Sequence, residues 1–172
     1  MKQISRHIVF STPFGEMAIL YREFPFRMTE ILLPRKNPDE LNAYIGKSGI
    51  SGFHPNAELA AEAICEYFEG KIIGIPWEWM DMNHLTEQQQ TVLKHVARIP
   101  YGQVRSYKEI AEEIGKPRAS RFVGTSVSQN PFPILIPCHR VVRSDGSIGQ
   151  FGGGSEMKQH LIEMEQKFLK AK

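Results

Sequence analysis

The chain of 172 residues contains 41% hydrophobic and 23% charged residues, the ordinary balance of a soluble globular protein. It has no run of about 18 apolar residues, which excludes a membrane-spanning helix. The N-terminus also lacks the basic-then-apolar pattern of a secretion signal, so we expect a cytoplasmic protein without a membrane partner. Two cysteines, Cys65 and Cys138, are too few for a disulfide framework. The six histidines show none of the spacings of a zinc site, so no metal is expected.

Charge is distributed unevenly along the chain, although its net value is only +2. Residues 1–85 carry eight basic and eleven acidic side chains, whereas residues 86–172 carry thirteen basic and eight acidic ones. A surface for a polyanionic partner therefore belongs to the second half, although an excess of this size is also common on a solvated face. A boundary near Asp81 to Leu85 predicts two domains, residues 1–84 and 85–172.

The first half predicts a small antiparallel sheet followed by helices. Short runs with strand composition, the first two joined through the turn residues Thr12-Pro13-Phe14-Gly15, predict a meander of three strands. These strands cover residues 4–10, 17–21 and 27–33. A short helix is predicted over residues 38–44 and a longer one over residues 57–69, with Asn56 as its cap and Gly70 after its end.

The second half opens with more specific helix signals. Thr86-Glu87-Gln88-Gln89 and Ser106-Tyr107-Lys108-Glu109 both match the capping box, so a helix is predicted to begin at each. Gly115 ends the second of these helices, and residues 118–129 form the next one after a very short connection. This spacing is typical of a helix-turn-helix.

The predicted helix over residues 118–129 is rich in small side chains and carries two positive charges. Small side chains allow close approach of another backbone, and the positive charges favour a polyanion. The pattern therefore favours a binding surface over tight packing on a neighbouring helix. The residues on this face are Arg118, Ala119, Ser120, Arg121, Gly124, Thr125 and Ser128.

A thiol and an imidazole, Cys138 and His139, follow an apolar run that has proline at both ends. The prolines exclude a helix interior, and Ile134-Leu135-Ile136 has the composition of a short buried strand, which we predict here. A cysteine attacks as its thiolate, and an adjacent imidazole can take the proton. The alternative is an inert buried thiol, because free cysteine is among the most buried residue types. The pair alone leaves both interpretations open.

A hairpin, a glycine-rich loop and a helix are predicted after the cysteine. Ser144-Asp145-Gly146 predicts the hairpin turn between residues 141–143 and 147–149. Residues 149–154 form the loop Gly-Gln-Phe-Gly-Gly-Gly. Ser155 then caps a helix whose apolar residues recur at helical spacing and face the core.

Together these segments resemble the O6-alkylguanine-DNA alkyltransferases, also called methylated-DNA–protein-cysteine methyltransferases. The resemblance covers residues 85–165 and extends weakly back to residues 66–70. Its motifs are Ile99-Pro100-Tyr101-Gly102-Gln103-Val104-Arg105-Ser106-Tyr107, Asn130-Pro131, Ile136-Pro137-Cys138-His139-Arg140-Val141-Val142, the glycine-rich loop, and Lys158 followed by Leu161, Ile162 and Glu165. It implies an α+β fold, in which a ribonuclease-H-like three-stranded antiparallel sheet with helices precedes a mostly helical, winged-helix-like domain.

The resemblance also implies an activity. A member of this family is a single-turnover methyltransferase of DNA repair, which moves the alkyl group of O6-alkylguanine, and of O4-alkylthymine, irreversibly to its own cysteine. No cofactor is needed. The implied partner is double-stranded DNA, bound through its minor groove with the alkylated base flipped out, and a monomer is expected.

Four residues receive chemical roles from the resemblance. Cys138 is the alkyl acceptor, and His139 is the base that draws the thiol proton through a bridging water. Glu165 orients the imidazole and stabilises its charged form. Asn130 holds the turn before the cysteine, although a residue at a helix end before proline needs no such role.

Other residues are assigned to DNA by the same resemblance. Ser106 and Tyr107 contact the phosphate backbone and the extruded nucleotide, although each also fits a helix cap or the core. Arg121 enters the base stack in place of the lesion and offsets part of the stacking that is lost. The remaining residues of this surface are Arg118, Ala119, Ser120 and Thr125.

The base pocket departs from the family pattern in the glycine-rich loop. Phe151 stands where tyrosine is common, so the aromatic wall remains but the hydroxyl that could donate to the leaving guanine is absent. Gly152 replaces a larger residue, which predicts a looser lid that tolerates bulky adducts. Gly153 is assigned to the same substrate contact.

Two other functions remain open on the sequence. A non-catalytic binder of alkylated bases would share the fold, but such relatives replace the acceptor cysteine, which is present here. A hydrolase with a Cys-His-Glu set would turn over many times, and it would leave the helix-turn-helix and the uneven charge unexplained.

Overall fold

The structure is a computed structural model that describes residues 5–171, so the predicted strand start at Ile4 lies outside the described residues. The chain divides into two compact units between Met82 and Asn83. Within the described part, no helix combines the length and the apolar character needed to cross a bilayer. The predicted α+β class is confirmed, with a small sheet in the first unit and mostly helices in the second.

The sheet of the first unit contains the predicted meander and one further strand. The meander consists of β1 (Arg6–Thr12), β2 (Gly15–Arg22) and β3 (Arg27–Leu32), paired antiparallel in sequence order. A short strand, β4 (Ile50–Ser51), pairs parallel with the start of β1, so the sheet has four strands in the order β3-β2-β1-β4. The prediction of three strands missed β4 because two residues are too few for alternation to be visible.

Two α-helices and a 3-10 turn at Trp77–Trp79 complete the described part of the first unit. Helix α1 (Pro38–Ser48) continues beyond the predicted end at residue 44 and buries Leu41 and Ile45 against the sheet. Helix α2 (Pro55–Phe68) begins two residues before the predicted start at 57. Its cap is the imidazole of His54, which accepts from the backbone N–H of Asn56, so the prediction of Asn56 as the cap is wrong. Proline fits the first helical position, where no backbone N–H is needed.

The second unit is built on three helices that pack together. They are α3 (Glu87–Val96), α4 (Tyr107–Glu113) and α5 (Ser120–Ser128), and α5 packs on the other two. Both predicted capping boxes are present, at Thr86 and at Ser106. Helix α5 is shorter than predicted, because Arg118 and Ala119 lie in the connection before it.

The segment around the cysteine differs from the prediction. Residues 134–136 form a turn and not an extended strand, and Cys138–Arg140 is a single 3-10 turn. The predicted hairpin has no second strand: β6 (Val141–Val142) pairs parallel with β5 (Arg105–Ser106). The turn at Ser144-Asp145-Gly146 is nevertheless present. Helix α6 (Ser155–Lys170) follows, with Gly154 and not Ser155 at its cap position.

Candidate active site

The turn before the cysteine is held by the side chain of Asn130. Its amide donates to the carbonyl of Ile136 at 3.0 Å, and its carbonyl oxygen accepts from the N–H of Phe132, also at 3.0 Å. The N–H of Ile136 donates to the carbonyl of Phe132 at 2.8 Å, which closes the turn. Ile134 adopts the left-handed conformation with φ 73°, which is uncommon for a β-branched residue. The prolines exclude a helix, but these bonds impose a turn where a strand was predicted.

Asn130 therefore satisfies buried backbone groups at both ends of one turn. We expect Asn130→Ala to lower the free energy of unfolding by about 2–3 kcal/mol, because a buried donor and a buried acceptor lose their partner. The rate of any reaction at Cys138 should fall as well. Chemical denaturation measures the first effect. Gln129→Ala, at the exposed neighbouring position, is the control, and equal stability losses in the two variants would contradict the role of Asn130.

Cys138 begins the 3-10 turn and is nearly buried, with 5% of its surface exposed. Its backbone N–H donates to the carbonyl of Ile136 at 2.7 Å, which fixes the direction in which the side chain leaves the turn. Burial raises the pKa of the Cys138 thiol, and a hydrogen bond with Asn130 and the charge of Lys158 counteract part of that rise. The resting thiol is therefore protonated, and a base must remove its proton before or during attack.

His139 and Glu165 are brought together as the resemblance implies. The Nε2 atom of His139 lies 2.7 Å from Oε1 of Glu165, and both side chains are buried. Burial lowers the pKa of His139 against the opposing pull of Glu165, so the resting imidazole is neutral. Because an ionised carboxylate can only accept, Nε2 carries the proton and Nδ1 holds the lone pair. The imidazole is thus in the state that can take a proton.

Glu165 is bound by more groups than the imidazole. Arg140 donates from Nε to both carboxylate oxygens, at 3.1 and 2.9 Å, and from Nη2 to Oε1 at 3.0 Å. The backbone N–H of Gly102 donates to Oε2 at 2.8 Å. Burial alone would raise the pKa of Glu165, but the bonds and charges of His139 and Arg140 outweigh it and lower the pKa to about 2. The carboxylate is therefore ionised throughout the neutral range.

Lys158 is a second buried cation close to the thiol. Its Nζ donates to the carbonyl of Val141 at 2.5 Å and to that of Gln150 at 3.3 Å, and it lies 5.9 Å from the centre of the Tyr107 ring. Burial lowers the pKa of Lys158 to about 8, against the opposing effect of Cys138. The two carbonyl contacts connect the β6 strand with the glycine-rich loop, so this lysine fixes the loop beside the cysteine.

Ser106 and Tyr107 occupy structural positions at the start of α4. The Ser106 hydroxyl accepts from the N–H of Glu109 at 3.1 Å, and the Glu109 carboxylate accepts from the N–H of Ser106 at 2.6 Å. The side chain of Tyr107 lies near two glycines. A Cβ added at Gly124 would be 3.8 Å from its ring, and a Cβ added at Gly149 would be 3.0 Å from its hydroxyl oxygen. Burial raises the pKa of Tyr107, which keeps the hydroxyl protonated and able to donate.

The glycine-rich loop lies against the imidazole. The ring of Phe151 meets that of His139 edge to face, with centroids 6.4 Å apart. Gly153 lies close to the side chains of Met157 and Phe151, so a larger residue there would require the Met157 side chain to shift. Gly152 is exposed at the tip of the loop. The structure thus places the aromatic ring of Phe151 next to His139.

The outer face of α5 is only partly the one predicted. Arg118, Arg121, Thr125 and Ser128 are exposed, and Ala119 and Ser120 are half-buried. Gly124 is half-buried, and a Cβ there would make an ordinary van der Waals contact with the ring of Tyr107 at 3.8 Å, so this position is only partly on the open face. Arg118 and Arg121 are both exposed near the N-terminal end of α5 and give this end two positive charges.

Sequence reasoning missed the roles of Arg140, Gly102 and Lys158. Arg140 and Lys158 are buried although they are charged, and burial of a charge cannot be deduced from spacing alone. Gly102 has φ 77°, a conformation that glycine adopts without strain, and in this conformation its N–H reaches Glu165. Among residues 5–171, no cluster of three His, Cys, Asp or Glu side chains could hold a metal ion.

Comparison with known proteins agrees with this geometry. Residues 87–167 match a family described as 6-O-methylguanine DNA methyltransferase, DNA binding domain. A methylated-DNA–protein-cysteine methyltransferase of Mycobacterium leprae is 42% identical over 118 residues, which are 67% of this chain and 70% of that protein. The protein with the same description from Methanosarcina barkeri is 41% identical over 111 residues, 64% of this chain and 69% of that one.

Similarity to solved structures extends over both units. The crystal structure of Mycobacterium tuberculosis OGT in complex with DNA has a TM-score of 0.78 and 29% sequence identity. It covers 95% of this chain and 94% of that one. The crystal structure of the O6-methylguanine methyltransferase of the same organism has a TM-score of 0.77 at the same identity and coverage.

Proposed function

The chain belongs to the O6-methylguanine-DNA methyltransferase family, and we propose that it repairs DNA by moving the alkyl group of O6-alkylguanine to Cys138. It is a methyltransferase that acts once per molecule. The observation that supports this role most directly is the nearly buried thiol beside a neutral imidazole whose other nitrogen is held by an ionised carboxylate. We place the acceptor and DNA-binding functions in residues 85–172, with residues 1–84 as a separate domain, and the site of action in the cytoplasm.

The transfer balances without a cofactor. Nδ1 of His139 takes the thiol proton of Cys138 through a bridging water, and the sulfur attacks the alkyl carbon. The C–S bond forms as the C–O6 bond breaks, and the electron pair of the broken bond remains on the guanine, which accepts the released proton. Glu165 stabilises the imidazolium in the interval. Because the thioether cannot be hydrolysed by this set of groups, the protein is consumed.

DNA is the partner of this reaction, and we propose that the exposed end of α5 enters the minor groove. The residues that would face DNA there are Arg118, Ala119, Ser120, Arg121 and Thr125. Minor-groove contacts distinguish few sequences, which suits a repair protein because lesions occur anywhere. Affinity should therefore come mainly from phosphates and fall with rising salt. The start of α4, which Ser106 caps, would lie near the phosphates, and a monomer suffices for this contact.

The flipped base would be held between α4 and the glycine-rich loop. Tyr107 offers a protonated hydroxyl, and Phe151 offers an aromatic face beside His139. Gly152 and Gly153 close the loop over the base without bulk. O4-alkylthymine has the same alkyl–oxygen bond and is a smaller base, so it fits the same pocket.

A base flipped out of the duplex leaves a gap in the stack, which Arg121 is placed to fill. We expect Arg121→Ala to slow methyl transfer from duplex DNA by about tenfold or more, since lost stacking amounts to a few kcal/mol. Transfer from single-stranded DNA or from the free base should slow much less. Single-turnover rates on the three substrates measure this difference.

Arg118→Ala is the matched control for Arg121, because both arginines are exposed at the same end of α5. This variant should bind duplex and single-stranded DNA less tightly by a similar factor. The salt dependence of its DNA affinity should fall by the amount expected for the loss of about one phosphate contact. Equal slowing of the Arg121 variant on all three substrates would contradict the role in the stack.

Two measurements separate the proposal from other functions of this site. A hydrolase would release product far in excess of the protein, whereas transfer stops at one equivalent. A non-catalytic binder would retain methylated DNA without any gain of protein mass. Product per protein, followed to its plateau on an O6-methylguanine duplex, therefore decides among the three.

A further inference from the structure

Arg140, which follows His139 directly, is a buried cation to which the proposed mechanism gives no task. We infer that Arg140 is a positioning residue of the transfer reaction: it holds Glu165 in line with His139 and balances its charge, so that the imidazole can act as a base at neutral pH. The inference rests on the proposed function of Cys138 and adds a group that acts through Glu165 without touching the substrate.

The guanidinium of Arg140 binds both oxygens of the Glu165 carboxylate through two of its nitrogens. Nε lies 3.1 and 2.9 Å from the two oxygens of Glu165, and Nη2 lies 3.0 Å from Oε1, the atom that also meets His139. The remaining nitrogen, Nη1, donates to the carbonyl of Ile99 at 2.7 Å. The centre of the Tyr101 ring lies 5.5 Å from the guanidinium carbon. A planar fork held at four points leaves the carboxylate little freedom to rotate.

The charged and titratable groups around Arg140 determine its effect on the imidazole. They are the carboxylate of Glu165 and the ammonium of Lys158 from α6, and the neutral thiol of Cys138 and neutral imidazole of His139 from the 3-10 turn. The phenol of Tyr101 is neutral, because burial raises its pKa. With Arg140 present, Glu165 and Arg140 cancel each other, and a proton moved from the thiol to the imidazole creates one balanced pair of charges.

Removal of the arginine charge would leave the carboxylate uncompensated beside the imidazole. In the reactive state, Sγ of Cys138 and Nδ1 of His139 hold one proton between them. The state in which both atoms are protonated is inactive. An uncompensated negative charge stabilises the doubly protonated state. The acid limb of the rate profile should therefore move to higher pH when Arg140 is neutralised, whichever atom holds the shared proton.

The test is the pH profile of single-turnover methyl transfer from an O6-methylguanine duplex to the full chain. We expect Arg140→Met to move the acid limb upward by at least about one pH unit. Arg140→Lys keeps the positive charge but cannot bind both carboxylate oxygens in the same plane. The acid limb of this variant should therefore move less, while its maximal rate still falls. Lys167→Met removes an exposed charge from the same helix as Glu165 and should leave the profile unchanged.

Several outcomes would overturn the inference. A purely structural role would lower the fraction of active protein in both arginine variants and leave the acid limb where it is in the wild type. If Arg140→Met does not fold, the ring nitrogens of His139 in the wild type, observed by NMR, decide. A neutral ring with the proton on Nε2 at neutral pH supports the inference, and an imidazolium overturns it. Failure of the proposed function is separate, because the wild type itself would then gain no methyl group.

Discussion

Cys138→Ser is expected to abolish methyl transfer while the affinity for duplex DNA stays at the wild-type level. The change replaces one sulfur with oxygen, adds no charge and leaves the turn bonds of Asn130 in place. A hydroxyl is far harder to deprotonate than a thiol, and removal of the nucleophile from other covalent catalysts lowers rates by roughly a millionfold. Transfer of a labelled methyl group and a DNA-binding titration on the same preparation measure the two effects.

Cys65→Ser is the matched control, because Cys65 is the other free cysteine of the described chain. It lies in α2, where burial raises the pKa of its thiol and the charges of Glu69 and Glu62 add to the rise. This variant should transfer the methyl group at the wild-type rate. Residual methylation of the Cys138 variant, or a joint loss of transfer and DNA affinity, would contradict the role assigned to Cys138.

Glu165→Gln is expected to have the second largest effect, on both stability and rate. Glutamine has nearly the same shape but no charge, so the buried guanidinium of Arg140 would lose its counter-ion. Breaking a buried pair on one side costs about 3–5 kcal/mol, which corresponds to a fall in melting temperature of at least about 10 °C for a unit of this size. The rate of transfer should fall by on the order of a thousandfold, because the imidazolium is no longer stabilised.

The dependence of this stability on pH has a definite sign. The pKa of Glu165 is lowered from 4.5 to about 2 in the folded state, so its contribution is complete above pH 4.5 and is lost as the pH falls toward 2. The contribution of this ionisation to the free energy of unfolding is about 3 kcal/mol. The difference in unfolding free energy between wild type and Glu165→Gln should therefore shrink over that window. A difference that stays constant there would contradict the ionised state of this carboxylate.

Local sequence patterns predicted the helix starts in the second unit and most of the sheet. Thr86 and Ser106 cap their helices through side-chain bonds to a backbone N–H three residues on, and this interaction depends on a few adjacent residues only. The meander followed from short runs of strand-forming residues, six to eight residues long in the structure, that are separated by turn residues. Such features are visible because the residues that determine them are neighbours in sequence.

The turn before the cysteine was not predictable in this way. The run between Pro133 and Pro137 is apolar and short, and the same composition suits a buried strand or a buried turn. Its conformation depends on Asn130, whose side chain reaches across to Ile136. The same limit applies to Gly124, which sequence spacing placed on the exposed face and which is half-buried near the ring of Tyr107.

The candidate site shows the same division. Cys138 and His139 are adjacent in the chain, so their pairing was visible at once, whereas Glu165 was reached only through the resemblance. Arg140 and Gly102 bind Glu165 from distant points of the sequence, and neither has a pattern that marks it. Burial and a shared carboxylate are three-dimensional facts, and the structure was needed to find them.

The most direct test is the intact mass of the protein after exposure to an excess of O6-methylguanine duplex, with mapping of the modified peptide. We predict that each molecule gains one methyl group, that the group is on Cys138, and that product formation stops when every molecule is modified. A methyl group on another residue, no gain in mass, or product beyond one equivalent would contradict the account.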